Sequence, residues 1–146
     1  MSATLTEKRY SFCVGFMFNA TRNLVLLLEK DRPAWQAGKL NGVGGKLIEG
    51  EDPAAGMARE FKEETGINSS PEDWDLCLYT EDLKTNSEIF TFTAVGRIEH
   101  ARQVESEKPV IIEVDSPPEN IVPNLRWSLQ FLRQNSYIGN LVGPII

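Results

Sequence analysis

The stretch Gly45 to Ile67, GKLIEGEDPAAGMAREFKEETGI, leaves little freedom in how the surrounding chain can fold. Asp52 is a good N-cap, Pro53 suits the first helical position, and Gly66 suits the left-handed position that ends a helix. Between them Ala54, Met57, Ala58, Phe61 and Thr65 recur at helical spacing, which gives one side to bury. Glu60, Glu63 and Glu64 follow at i, i+3 and i+4 on the adjacent side, with Gly56 one turn earlier leaving room above them. Three carboxylates repel one another, and they sit near the helix C-terminus, where the macrodipole also disfavours negative charge. Arg59 and Lys62 are the cations placed to offset them. A bound divalent cation resolves that conflict, whereas solvent only tolerates it.

The rest of the chain reads as strands around this helix. Arg9 to Asn19 alternates loosely, with Phe12, Val14, Phe16 and Phe18 on one face. Leu24 to Leu28 is an apolar run short enough for a buried strand, paired with the first as a hairpin. Asp31 to Lys39 is a loop carrying Trp35. Leu40 to Leu47 reads as one Gly-dense strand, a pattern that marks close approach of a ligand or of another backbone. Trp74 to Leu83 and Glu88 to Ile98 read as strands about a turn at Lys84 to Ser87, and Val110 to Val114 as another. Glu99 to Lys108 is a polar loop with three glutamates. Asn124 is a plausible cap for a second helix burying Leu125, Leu129 and Leu132, with Trp127 expected in the core. The tail SYIGNLVGPII is apolar but broken by Gly and Pro, and is expected to dock on the body or on a second subunit. Nothing divides the 146 residues, so they are read as a single domain, 1–146.

A net charge of −6 and the lack of a Lys/Arg stripe argue against a nucleic-acid polymer as partner. Small polyanions remain open, because a carboxylate site can hold them through a bridging Mg²⁺ or Mn²⁺. No apolar run approaches a membrane span, and MSATLTEKRY lacks the order of a secretion signal, which places the protein in the cytoplasm. Cys13 and Cys77 form no CxxC pair and read as small core residues. Monomer and homodimer both remain open.

Carboxylate oxygens are the ligands that Mg²⁺ prefers, and its coordination is commonly completed by waters and substrate phosphate. Such an ion polarises a phosphoryl oxygen and acidifies water, and a remaining carboxylate can orient or deprotonate that water. Neither a Ser-His-Asp nor a Cys-His arrangement is required. That suits a chain whose lone histidine, His100, falls in a polar loop.

Read at fixed spacing, the stretch is Gly45, five residues, Glu51, seven residues, Arg59-Glu60, Phe61, one residue, Glu63-Glu64, one residue, Gly66 and Ile67. This resembles the Nudix box with every specified position filled. The resemblance implies an α/β fold, a Nudix-type α/β/α sandwich with a central mixed β-sheet. It also implies hydrolysis of a nucleoside diphosphate linked to another group. By that resemblance Glu63 and Glu64 are the principal metal ligands and the Gly45 carbonyl is a further one. Glu60 is a ligand or the base, and Arg59 and Glu51 are an ion pair that positions the helix. A later-loop glutamate completes the metal site in some members. Glu105 and Glu107 are the candidates here, and Glu107 is preferred because it lies just before a strand.

Ahead of the box, GKLNGVGGK resembles enzymes that cleanse the nucleotide pool of oxidised purine triphosphates. There the Asn matching Asn41 contacts the base, a task suited to an amide that both donates and accepts. Lys46 and Trp35 join Asn41 as expected substrate contacts. The Trp-Pro-Asp-Asp sequence that clamps the base in some members is replaced by Ile121-Val122-Pro123-Asn124. The expected activity is metal-dependent cleavage of a nucleoside triphosphate, such as an oxidised purine nucleotide, to the monophosphate and pyrophosphate. A nucleotide sugar, a dinucleotide or a dinucleoside polyphosphate is the alternative substrate. A non-catalytic nucleotide sensor is the alternative class.

Overall fold

The computed structural model describes residues 9–134 and 139–143. The strands are β1 (Tyr10–Phe18), β2 (Leu24–Glu29), β3 (Leu40–Asn41), β4 (Val43–Lys46), β5 (Asp75–Asp82), β6 (Ser87–Val95), β7 (Lys108–Glu113) and β8 (Gly139–Gly143). Two helices, α1 (Pro53–Thr65) and α2 (Pro123–Leu132), complete the frame, with single 3₁₀ turns at Ala34–Gln36, Pro71–Asp73 and Ile98–His100.

The strands form one mixed sheet in the order β3-β2-β1-β6-β5-β8, with β4 added to β1 and β7 to β2. β1 runs parallel to β6 and β5 parallel to β8, while the other pairs are antiparallel. The first hairpin is brief, because only Met17 and Phe18 of β1 face β2. The lower part of β1 pairs instead with β4, from Phe12 opposite Lys46 to Gly15 opposite Val43.

Alternation along the strands sends side chains into two cores, one under each helix. On the α1 side Cys13, Met17, Leu26, Leu28, Phe92 and Ala94 meet Met57, Ala58 and Phe61. On the opposite side Phe16, Phe18, Val25, Leu27 and Ile112 meet Leu125, Leu129 and Leu132 of α2. β2 is apolar at consecutive positions because both of its faces are covered. Burying Met57 and Phe61 completely stabilises the α1 layer by about 1.5–3 kcal/mol each. Phe61 meets Trp74 edge-on at 5.0 Å. Gly15 lets the α1 layer close on the sheet, since a Cβ there would lie 2.7 Å from Met57 and 2.8 Å from the Trp74 ring.

Four expectations need correcting. The Gly-dense segment is two strands, β3 on β2 and β4 on β1, separated at Gly42. A Cβ at Gly42 would press on Val14 and Phe16, so the chain changes partner where it crosses β1 closely. Helix α2 is capped by Val122 rather than Asn124, because Pro123, which has no N–H to cap, takes its first position. Trp127 is 63% exposed, not a core residue. It stands two positions from Leu125, roughly 200° round the helix from the buried stripe, and meets Phe131 edge-on at 6.0 Å. The strand expected to run to Ile98 ends at Val95, and Ile98 is buried from a 3₁₀ turn.

The apolar tail docks on the body over Gly139–Gly143, as β8 along β5. The other residues of the tail and residues 1–8 lie outside the described set. Cys13 and Cys77 are buried free thiols in opposite cores, so the sheet separates them. Among the described residues no helix is long and apolar enough to cross a membrane.

Candidate active site

Helix α1 is set by its ends. Asp52 accepts a hydrogen bond from the Ala55 N–H at 3.1 Å, and Gly66 at φ 77° donates its N–H to the Lys62 carbonyl. The loop after β4 is tied to the helix through Glu51 and Arg59. Arg59 Nε and Nη2 reach the two Glu51 oxygens at 2.8 and 3.0 Å, a bidentate pair. Arg59 Nη1 also donates to Glu60 at 3.1 Å and to Glu63 at 3.2 Å, and Nη2 to the Lys46 carbonyl at 3.4 Å. Arg59 therefore organises three carboxylates and the end of β4. It holds the Glu51 carboxyl below its ordinary range, with the Ile48 N–H adding to the effect.

Gly45 is required by this packing. A Cβ there would lie 2.8 Å from the carboxylate carbon and both oxygens of Glu60. The helix acid and the β4 backbone thus share a notch that only glycine leaves open. Burial pushes the Glu60 carboxyl up, against the opposing pull of Arg59. Glu63, with its side chain 49% exposed, lies at the outer edge of the same group.

Glu64 faces a different neighbourhood, the loop of residues 101–107. That loop is fastened to the end of α1, where the Arg102 N–H donates to the Thr65 carbonyl and the Arg102 side chain lies over Gly66. Glu64 Oε2 is buried without a hydrogen-bond partner. Burial pushes the Glu64 carboxyl up to about 7, with Glu105 the strongest charged neighbour, Glu107 adding to the rise and Lys30 opposing it. Two facing carboxylates have only acceptors to offer, so a shared proton or a cation must come between them.

The acids lie in two groups, Glu51, Glu60 and Glu63 round Arg59, and Glu64 with Glu105 and Glu107. Among the described residues no three His, Cys, Asp or Glu side chains stand as a ready-made coordination cluster. The residues present nonetheless fit a hard divalent cation. The orphaned Glu64 oxygen, the open notch at Gly45 and an all-oxygen donor set are what Mg²⁺ or Mn²⁺ would use.

The other expected site residues are more dispersed. Glu107 is 6% exposed and engaged, its oxygens accepting from Lys30 Nζ and from the Asp31 N–H, each at 2.9 Å. Glu105 is exposed and left to face Glu64. Asn41 Nδ2 donates to Gln36 Oε1 at 3.0 Å, and its Oδ1 accepts from the Gly42 N–H at 2.8 Å. Trp35, on the same 3₁₀ turn as Gln36, is 62% exposed. The Lys46 ammonium lies 5.4 Å from the Tyr10 ring centre rather than among the helix acids. Lys30, Arg102 and Gln36 were missed in the sequence, where none belongs to a spaced pattern. His100 is exposed.

The sequence profile of the NUDIX domain matches residues 7–127. The chain belongs to the Nudix family. A search of curated proteins by sequence finds no match. Solved structures are similar in fold. A NUDIX hydrolase from Nitrosomonas europaea aligns with a TM-score of 0.73 and 15% identity over 94% of this chain and 80% of its own. A MutT NUDIX hydrolase from Burkholderia pseudomallei gives 0.69 and 20% identity over 85% and 98%. A MutT structure from work on Aliivibrio salmonicida and Vibrio cholerae gives 0.65 and 18% identity over 85% and 99%. At such identities the structural likeness speaks for the fold. Membership rests on the profile, and it makes the protein a Nudix hydrolase with a mixed α/β sandwich.

Proposed function

We infer that this Nudix hydrolase is a divalent-metal-dependent pyrophosphohydrolase that cleaves a nucleoside triphosphate to the monophosphate and pyrophosphate. The observation that carries the reading is the buried, unpartnered Glu64 oxygen beside Glu105, on a helix whose other acids are held by Arg59. Glu64 and Glu63, the Gly45 carbonyl and Glu105 would hold Mg²⁺ or Mn²⁺. Glu105 replaces Glu107 in that role because both Glu107 oxygens are already engaged. When bound, the ion supplies Lewis acidity at the phosphoryl group and a more acidic water. Arg59 fixes Glu60 through Oε1, which leaves Oε2 to take the proton of the attacking water. A carboxyl raised by burial is suited to that task.

The substrate reading is a purine triphosphate. Asn41 is locked on one edge by Gln36 and Gly42, yet keeps one N–H and one lone pair for a base. Trp35 offers an exposed aromatic face on the adjoining turn, and Lys46 a cation one residue beyond Gly45. The two buried free thiols suit a reducing cytoplasm.

The test is a panel of normal and oxidised nucleoside triphosphates, nucleotide sugars and dinucleotides, assayed with Mg²⁺ and with Mn²⁺. Wild type should turn over a purine triphosphate fastest, and the Glu63→Gln and Glu64→Gln variants should lose most of that activity. Preference for a nucleotide sugar overturns the substrate assignment. Unchanged turnover in both variants overturns the metal-helix mechanism.

A further inference from the structure

Glu107 is a glutamate in a loop of acids, yet its surroundings are those of a structural ion pair. It is nearly buried, Lys30 Nζ meets Oε1, and the Asp31 N–H meets Oε2. Ser106 Oγ donates to Asp31 Oδ2 at 2.6 Å, which adds a third bond between the same two segments. Lys30 is itself fixed. Its N–H donates to the Lys39 carbonyl and its carbonyl accepts from the Gly38 N–H, both at 2.8 Å. Those bonds close the base of the loop that carries Trp35 and Gln36.

The acid loop is held at its other end by Arg102, on the C-terminal turn of α1. Between the two anchors the Gln103 side chain donates to the Glu105 and Ser106 carbonyls at 3.0 and 3.2 Å. Glu105 therefore sits on a short span pinned at both ends, one pin at α1 and one at the end of β2. A carboxylate buried as deeply as Glu107 needs its partner, since removal of one member of such a pair leaves an uncompensated charge.

We propose that Lys30 and Glu107 act together as a positioning pair that holds Glu105 opposite Glu64, and that Glu107 is not itself a metal ligand. The inference rests on the metal-site reading of Glu64 given above. Lys30 neutralises Glu107, so that Glu107 can serve as an anchor. The pair also links the Trp35–Gln36 turn to the acid loop, so loosening it disturbs both sides of the substrate region.

The test is direct Mn²⁺ binding to the substrate-free protein, followed by electron paramagnetic resonance of free Mn²⁺, with thermal melts as a folding control. Glu64→Gln and Glu105→Gln should weaken binding most. Lys30→Met and Glu107→Gln should each weaken it by a smaller, similar factor, about tenfold as for residues that orient ligands. The double variant should be no worse than either single change, and Lys30→Arg should bind like wild type.

The proposal is overturned if Glu107→Gln binds Mn²⁺ as poorly as Glu64→Gln while Lys30→Met binds as tightly as wild type, or more tightly. That pattern is the signature of a ligand freed from a competing ammonium. Should Lys30→Met fail to fold, the order of Glu105→Gln and Glu107→Gln decides alone, and a weaker-binding Glu107→Gln overturns the pair. Unchanged binding in Glu64→Gln instead removes the metal-site reading itself, a result distinct from either.

Discussion

Glu64 shows how much a single carboxyl can report. Its ordinary value of 4.5 rises to about 7, first through burial and then through Glu105. Between those values folded Glu64 binds a proton that the unfolded chain has released, so its contribution to the stability of the metal-free protein should fall as pH rises from about 4.5 to 7. On the metal-site reading proposed above, Mg²⁺ would favour the ionised form and should reverse that slope. Urea melts from pH 4.5 to 8, with chelator and with Mg²⁺, measure both effects. The chelator slope should largely vanish in Glu64→Gln, and a slope of the same size there would assign it to other groups. The sequence marks Glu64 clearly, because the box spacing is local. It could not show that Glu107 is engaged by Lys30, which is remote in sequence and meets Glu107 only through the pairing of β2 with β7.

At the scale of elements, α1 was legible to its end residues, because Asp52, Pro53 and Gly66 act within one turn of themselves. The break at Gly42 was not legible, since the change of partner from β2 to β1 is a property of the assembled sheet. Trp127 was misread for a different reason. Aromatic character favours burial, but the angle on the helix decides, and Leu125, Leu129 and Leu132 already define the buried stripe. What seats α1 is the contact of Phe61 with Trp74 and of Met57 over Gly15. Phe61→Ala should therefore cost about 3–5 kcal/mol in chemical denaturation, as large-to-small changes in a closed core do. Because Glu60 and Glu64 flank this seam along the same helix, turnover per folded molecule should fall as well. Stability lost with full turnover retained would show that the acids are held by Arg59 and the loops, without help from the core.

Across the whole molecule the sheet is a partition, and each face carries one thiol. Burial pushes both Cys13 and Cys77 up to about 11, so neither is a ready nucleophile in the native state. Labelling by a thiol reagent must then wait for the covering layer to open. Cys13 lies under α1, opposite Gly45 in the β1–β4 register, and Cys77 lies in the α2 core. A ligand on the α1 side should stabilise that layer first, because it binds the closed form and leaves the open form unbound. In Cys77→Ala protein, which retains Cys13, Mg²⁺ should slow labelling several-fold, while in Cys13→Ala protein, which retains Cys77, it should slow labelling less. Equal protection of both thiols would mean that the two layers open only together, and that binding on one face is felt through the sheet by the other.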